Sequence, residues 1–391
     1  MKGEKAGNRL ELMGNETTRL LRDLVRFPSI GPCSETTDAL LHLANFLDRP
    51  GIVVSIEERE SGAPLLLATI DSGAPGQSVL LQGHIDVVPA DDGWNRDPFG
   101  ADLVDGTVHG RGTCDMKAGL ASFATTLTTM AGASDFSRGR VTLLVDTDEE
   151  TGSDACLIPW IAKNGLTQFD VAICGEPTGL RPFLGNRGLL WAEVTFEGKA
   201  AHAGYPSSGV NPVPSACRFI TALKMPDLIA SPYGSSGPTL TPTSFHSGIS
   251  INSIADRAVL GLDRRLVPGE SPEAVIAGLV RQLDDFAVDD GVEVGITILK
   301  TWPPCLLDEG SQLAIVARDI SRDLGLEDSF SFDDACNDAS FLTSAGVPTL
   351  IWGPGPPERA HSSNESIEIS VLDLANRAYV EACLRLTGSG S

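Results

Sequence analysis

The sequence predicts an α/β chain: a mostly parallel sheet with helices on both faces, and a smaller ferredoxin-like unit inserted into it. Three observations predict it. Short apolar strands alternate with helical patterns up to about residue 185. Between about 187 and 300 the order becomes β-α-β-β-α-β, and the strand–helix alternation then resumes. A length of 391 residues, too long for one ordinary core and too short for three, agrees with two domains. Residues 1–185 and 300–391 are expected to form one discontinuous domain, and 186–299 the inserted one.

The opening MKGEKAGNRLELMGN carries charges but no apolar run, so a frayed tail is expected rather than a secretory signal. Leu20, Leu21, Leu24 and Val25 follow at helical spacing behind Asn15, a good N-cap, and Pro28 ends the run. A second helix follows Ser34, with Leu40, Leu41, Ala44 and Leu47 on one side and Pro50-Gly51 closing it. Strands are expected at 53–56, 65–70, 79–81, 141–145 and 171–174, with helices 116–131 and 153–163 separating the last three. The inserted unit takes strand 189–197, helix 211–224, strands 241–251 and 257–264, helix 272–286 and strand 292–299. A Ser/Gly/Pro-rich loop, 231–238, interrupts it, and helix 311–323, strand 348–352 and helix 371–386 complete the chain.

Composition excludes several roles. Apolar residues make up 42% of the chain, which marks a globular protein rather than a disordered one. With 29 basic and 52 acidic residues the formal charge is −23. Such a surface repels phosphate backbones and anionic lipid, so neither nucleic acid nor membrane is expected as a partner. No apolar run approaches the roughly 20 residues that span a bilayer. The cysteines (Cys33, Cys114, Cys156, Cys174, Cys217, Cys305, Cys336 and Cys383) form no CxxC pair, so free thiols in a reducing cytoplasm are expected.

Five segments carry chemistry. They are Gly83-His84-Ile85-Asp86, Gly110-Arg111-Gly112-Thr113-Cys114-Asp115, Asp148-Glu149-Glu150, Gly175-Glu176-Pro177 and Ala360-His361-Ser362. All but the last follow or adjoin an apolar strand, and His361 lies beyond strand 348–352 in a Gly/Pro-rich loop. Ligands bind at the carboxyl ends of strands in open α/β sheets, so these loops would bring two imidazoles and several carboxylates together. Such a nitrogen/oxygen set suits zinc, copper, iron, nickel or cobalt better than magnesium or calcium. Two ions close together need a shared carboxylate, which one Asp would supply. Asp86, two residues from His84, points the same way from a strand and would hold the ring N–H. Singly, each segment has a plainer reading: a strand-end histidine, a capped turn, a solvated Glu149-Glu150 pair, a loop histidine.

Together these segments resemble the M20 metallopeptidases, a family that includes acetylornithine deacetylase and succinyl-diaminopimelate desuccinylase. The resemblance covers essentially the whole chain, the inserted domain included. It implies His84 and Glu176 on a first metal, Glu150 and His361 on a second, and Asp115 between them. Glu149 corresponds to the general base and Asp86 to the residue orienting His84. A cis Asp115–Met116 peptide is also implied. The cofactor is expected to be two divalent ions, zinc first, with cobalt or manganese as alternatives. The inserted domain becomes a lid and dimerisation domain, which implies a homodimer. In it His202 matches the oxyanion donor reaching in from a partner subunit, and Asn252 and Arg265 match the anchors of a substrate carboxylate. Ala255 departs from the usual Pro of that motif, and Arg264 is the alternative to Arg265.

The expected function is that of an amidohydrolase acting on an N-acyl amino acid, like acetylornithine deacetylase or succinyl-diaminopimelate desuccinylase. The alternatives are a carboxypeptidase or dipeptidase of the same family acting on a short peptide, and, from another class, a silent relative that binds an amino-acid derivative. Glu at 176, where the family's aminopeptidases tend to have Asp, argues for deacylase or carboxypeptidase chemistry. Loss of the base or of a ligand would mark a silent relative, and all six residues are present. Arg187 has two readings, substrate contact or surface charge, the second preferred. His42 and His246 are expected to be structural, His109 to support its loop, and Cys114 and Cys174 to pack.

Overall fold

The computed structural model describes residues 2–58, 62–226, 236–289 and 291–388. Residues 231–235 of the Ser/Gly/Pro-rich loop lie outside the described residues. The chain divides into two compact units, one made of Met1–Gly185, Leu306–Ser331 and Asn337–Ser391, the other of Asn186–Cys305 with Phe332–Cys336.

The first unit has the expected α/β architecture. Its sheet runs Val53–Glu57, Leu65–Asp71, Arg140–Asp146, Ser78–His84, Val171–Pro177, Thr349–Gly353, Phe183–Asn186. The four middle strands, from Arg140–Asp146 to Thr349–Gly353, are mutually parallel, and the flanking pairs are antiparallel. They are near-continuous apolar runs because both faces are covered. Side chains alternate between two cores. Val79, Leu81, Leu143 and Ile173 join the layer of helices Ser34–Leu47, Lys117–Ala131 and Ile369–Thr387. Leu80, Leu144 and Ala172 pack with Leu157, Trp160 and Leu342 on the other face.

Several elements differ from expectation. The first helix spans Lys2–Val25, so Asn15 is an exposed residue inside it rather than its N-cap, and residues 2–15, expected as a frayed tail, are helical. Packing overrides the cap signal: Met13 is buried, and Thr17 Oγ1 lies 2.9 Å from both Met13 O and Thr125 Oγ1. In helix Ser34–Leu47 the buried stripe is Thr36, Ala39, Leu40, Leu43 and Leu47, whereas Leu41 is exposed. The helix expected at 153–163 covers Leu157–Asn164, and Glu149–Thr151 form a separate 3₁₀ turn. A three-stranded sheet of Asp102–Val104, Thr107–His109 and Ser366–Glu368 was too short to leave a periodic signal.

The second unit is an antiparallel four-stranded sheet in the order Thr239–Ser247, Arg257–Leu266, Gly188–Glu197, Glu293–Trp302, with helices Val213–Ala222 and Pro272–Asp284. Its core gathers Val194, Phe196, Phe219, Leu260 and Leu262. The strand expected at 241–251 ends at Ser247, leaving Ile249 and Ile251 fully exposed in the following loop. Among the described residues no helix is long and apolar enough to cross a membrane.

Candidate metal centre

The parallel strands deliver the polar side chains to one edge. His84 ends strand Ser78–His84, Glu149 and Glu150 follow strand Arg140–Asp146, and Glu176 lies in strand Val171–Pro177. His361 arrives from the loop after Thr349–Gly353, with φ +58°. Asp115 enters from the turn before helix Lys117–Ala131, across a cis Asp115–Met116 peptide. That turn needs Gly112, whose φ is +87° and whose Cβ would meet Val87 Cγ1 at 2.8 Å.

Asp115 stands between the two imidazoles. Its Oδ1 lies 3.2 Å from His84 Nε2 and its Oδ2 3.1 Å from His361 Nε2. Glu176 Oε1 is 3.4 Å from His84 Nε2, and Glu150 Oε2 is 3.1 Å from His361 Nε2. His84, Glu149 and Glu176 each bring a donor atom within 4.8 Å of the others, as do His84, Asp115 and Glu150. His84 Nδ1 donates to the Asp86 carbonyl at 3.0 Å. A carbonyl can only accept, so in the neutral ring Nε2 carries the lone pair and turns it toward the carboxylates. The Asp86 carboxylate has a second task besides facing the ring: its two oxygens accept from the backbone N–H of Glu149 at 3.3 Å and of Glu150 at 3.0 Å. Its distance to His84 Nδ1 is 3.5 Å.

The electrostatics call for positive charge. Burial pushes the Glu149 carboxyl well above the usual range, and neighbouring Glu176 pushes it further. Burial and Asp115 push Glu176 up to about 8. Burial alone would lower His84, but Glu176, Asp115 and Asp86 outweigh it and hold the ring well above its ordinary value. Hydrogen bonds to Asp115 and Glu150 raise His361 to about 10. The carboxylates that favour a proton on each Nε2 favour a metal cation there equally well.

The donor set fits such a cation. Ligand atoms about 2.1 Å from a tetrahedral ion lie about 3.4 Å from one another. The nitrogen–oxygen separations of 3.1–3.4 Å have that spacing. Glu176 Oε1 is buried and makes no hydrogen bond among the described residues, as a ligand atom awaiting a cation would.

Residues that sequence reasoning passed over support the centre. The Glu365 carboxylate receives Arg111 and three backbone amides of the Asp115 turn. Asp338 accepts from Ser153 Oγ at 2.6 Å and Gln82 Nε2 at 2.8 Å, tying the far end of the Glu149–Glu150 loop to the His84 strand. Lys117 donates from a fully buried Nζ to Leu24 O and Phe27 O, at the end of the first helix. Each pairs residues far apart in the chain; for Lys117 and Glu365 the only signal in sequence is proximity to a proposed ligand, and Asp338 has none. Cys114 and Cys174 pack, donating to Ser366 O at 3.2 Å and Gln82 Oε1 at 2.9 Å.

The expected substrate residues belong to the second unit. His202 is exposed, its Nδ1 accepting from Gly204 N at 3.0 Å, and Ala203 N donates to Asn252 O at 2.9 Å, so these two loops are joined. Arg265 is held by both oxygens of Asp263, at 2.9 and 3.1 Å. Arg264 is not the alternative anchor, because it is buried and paired with Glu270. Arg187 is not a surface charge: it is largely covered and donates to Asp334 O at 2.7 Å. His246 is exposed on its strand rather than structural, whereas His42 stacks against Phe27 at 5.5 Å. His109 lies on a strand paired with Ser366.

Comparison with known proteins follows the same lines. Residues 80–385 match the family profile described as Peptidase family M20/M25/M40. The chain is 30% identical over 379 residues to a succinyl-diaminopimelate desuccinylase of Cereibacter sphaeroides, covering 92% of this chain and 96% of that one. It is 30% identical over 380 residues to an acetylornithine deacetylase of Proteus mirabilis, covering 90% and 92%. A solved M20 family metallo-carboxypeptidase from Sulfolobus solfataricus shares the fold at TM-score 0.78 and 21% identity, over 95% of this chain and 99% of that one. A dinuclear metal-binding M20 peptidase from Bacillus subtilis does so at TM-score 0.74 and 17% identity, over 97% and 100%.

Proposed function

The chain belongs to peptidase family M20/M25/M40 and is a metallohydrolase, and from that premise we propose that it cleaves the amide bond of an N-acyl amino acid. The observation that carries the proposal is Asp115, one oxygen toward each imidazole. His84 and Glu176 would hold one divalent ion, His361 and Glu150 a second, and Asp115 both. Zinc suits this nitrogen/oxygen set, with cobalt or manganese as alternatives. Cations held there supply Lewis acidity, which lowers the pKa of water and polarises a carbonyl.

The chain's own groups do the rest. Glu149, its affinity for a proton raised by burial, takes a proton on its carboxylate and passes it to the leaving amine. Asp86 holds the backbone of Glu149 and Glu150, and its carbonyl fixes the His84 tautomer. The second unit serves as lid and dimerisation domain, with Asn252 and Arg265 receiving the substrate carboxylate. His202, whose Nδ1 accepts a backbone N–H, keeps its proton on Nε2 in the neutral ring and so offers a donor for a developing oxyanion. We assign the enzyme to the cytoplasm, where its eight free cysteines would stay reduced.

Relatives near 30% identity are named as desuccinylases and deacetylases, which favours a deacylase over a peptidase. A panel of N-acetyl, N-succinyl and N-formyl amino acids with dipeptides, assayed with added zinc and with chelator, tests it. Zinc-dependent release of free amino acid from an N-acyl substrate is expected; turnover of dipeptides alone would move the enzyme to peptidase chemistry. In Glu149→Gln turnover should fall by about 10²–10⁴-fold with metal content retained. Undiminished turnover there would remove Glu149 as the base.

A further inference from the structure

We infer that Glu365 is a positioning residue that locks the Asp115 turn to the His361 loop and so sets the spacing of the metal centre; the inference rests on the metal-site reading above. Its carboxylate is fully buried and saturated with donors. Oε2 accepts from Arg111 Nη1 at 2.8 Å and Gly112 N at 3.0 Å, and Oε1 from Cys114 N at 2.5 Å and Asp115 N at 3.1 Å. The last bond is the telling one. The residue whose side chain faces both imidazoles has its own backbone N–H fixed by Glu365.

Glu365 lies four positions after His361, so holding one loop by this side chain constrains the other. Arg111 tightens the link, donating also to Ser362 O at 3.2 Å and to Pro89 O at 3.3 Å, in the loop that follows His84 and Asp86. The intervening residues reach that same loop. Ser363 Oγ donates to Asp91 Oδ1 at 2.6 Å, and Asn364 Oδ1 accepts from Asn95 N at 2.7 Å. Segment 362–365 therefore ties together the loops carrying His84, Asp115 and His361. Ligand atoms must be held within about 0.5 Å of their productive places, and only groups outside the first coordination shell can do that.

A neutral side chain of the same shape cannot substitute. Glutamine at 365 keeps one acceptor oxygen, and its NH₂ would then face either Arg111 and Gly112 or the amides of Cys114 and Asp115, donor against donor. Zinc titration against a competing chelator, with metal counted per chain, separates the readings. Wild type should bind two zinc ions. Glu365→Gln should keep a cooperative unfolding transition without metal but lose about 10- to 100-fold in zinc affinity. Its cobalt(II) visible spectrum should also change, and the exposed neighbour Glu368→Gln should match wild type. If Glu365→Gln only unfolds more easily and binds zinc as wild type does, the inference is overturned while the metal-site reading stands. If wild type binds no zinc, the metal-site reading itself fails. Should Glu365→Gln not fold, Arg111→Lys, which leaves the three backbone donors in place, is expected to weaken zinc binding several-fold; unchanged affinity there overturns the inference equally.

Discussion

Asp115 is where the two halves of the candidate centre meet, and single substitutions separate its role from its neighbours'. Of the two imidazoles Glu176 approaches His84, whereas Asp115 faces both His84 and His361 with different oxygens. Asp115→Asn removes the charge on which both ions would depend, so metal retained after dialysis should fall from two per chain to less than one. Glu176→Gln should leave about one, since a lost ligand weakens its own ion most. Equal losses in the two variants, measured by elemental analysis, would deny Asp115 its bridging place. The residues proposed for the centre could be named from the sequence because most end or adjoin an apolar strand and their types share one chemistry. Glu365 could not. Its ion-pair partner Arg111 lies 254 positions away, and a lone glutamate in a polar loop looks solvated until the fold buries it.

Helix Lys117–Ala131 determines how closely the elements beneath the centre approach. A Cβ at Gly119 would lie 2.5 Å from Gly175 O, on the strand that carries Glu176. Gly119→Ala must therefore push helix and strand apart, and should cost about 1–3 kcal/mol by urea denaturation, with zinc affinity falling as well. An unchanged midpoint would show that the contact has slack. Strands of this sheet could be read from the sequence because full burial makes them continuous apolar runs. The helix stripes are less legible: Leu41 is expected in the buried stripe where Leu43, two positions on, is buried, because Leu40, Leu41 and Leu43 lie close together in the chain and only the partner surface decides between them. The start of the first helix lies beyond the sequence reading for a related reason, because Thr17 is placed by its contact with Thr125 of helix Lys117–Ala131 and not by local capping.

The whole molecule carries a formal charge of −23, and any second copy brings the same repulsion. The proposed homodimer must therefore be held by contacts that outweigh it. The second unit offers Ile249 and Ile251, fully exposed, beside edge strand Thr239–Ser247, on which Phe245 is also exposed. Repulsion between like-charged chains is screened beyond about 8 Å at physiological salt and acts over longer distances in dilute salt, whereas apolar contact does not weaken as salt rises. Dimerisation by this surface should consequently tighten between low and high sodium chloride, opposite to an interface built on salt bridges. Ile251→Asp removes an apolar anchor and adds two like charges per dimer, so the dissociation constant should rise by about tenfold or more at every salt concentration. Sedimentation equilibrium across that range reads both effects. A dimer that loosens with salt, or that ignores Ile251→Asp, would place the interface elsewhere on the chain.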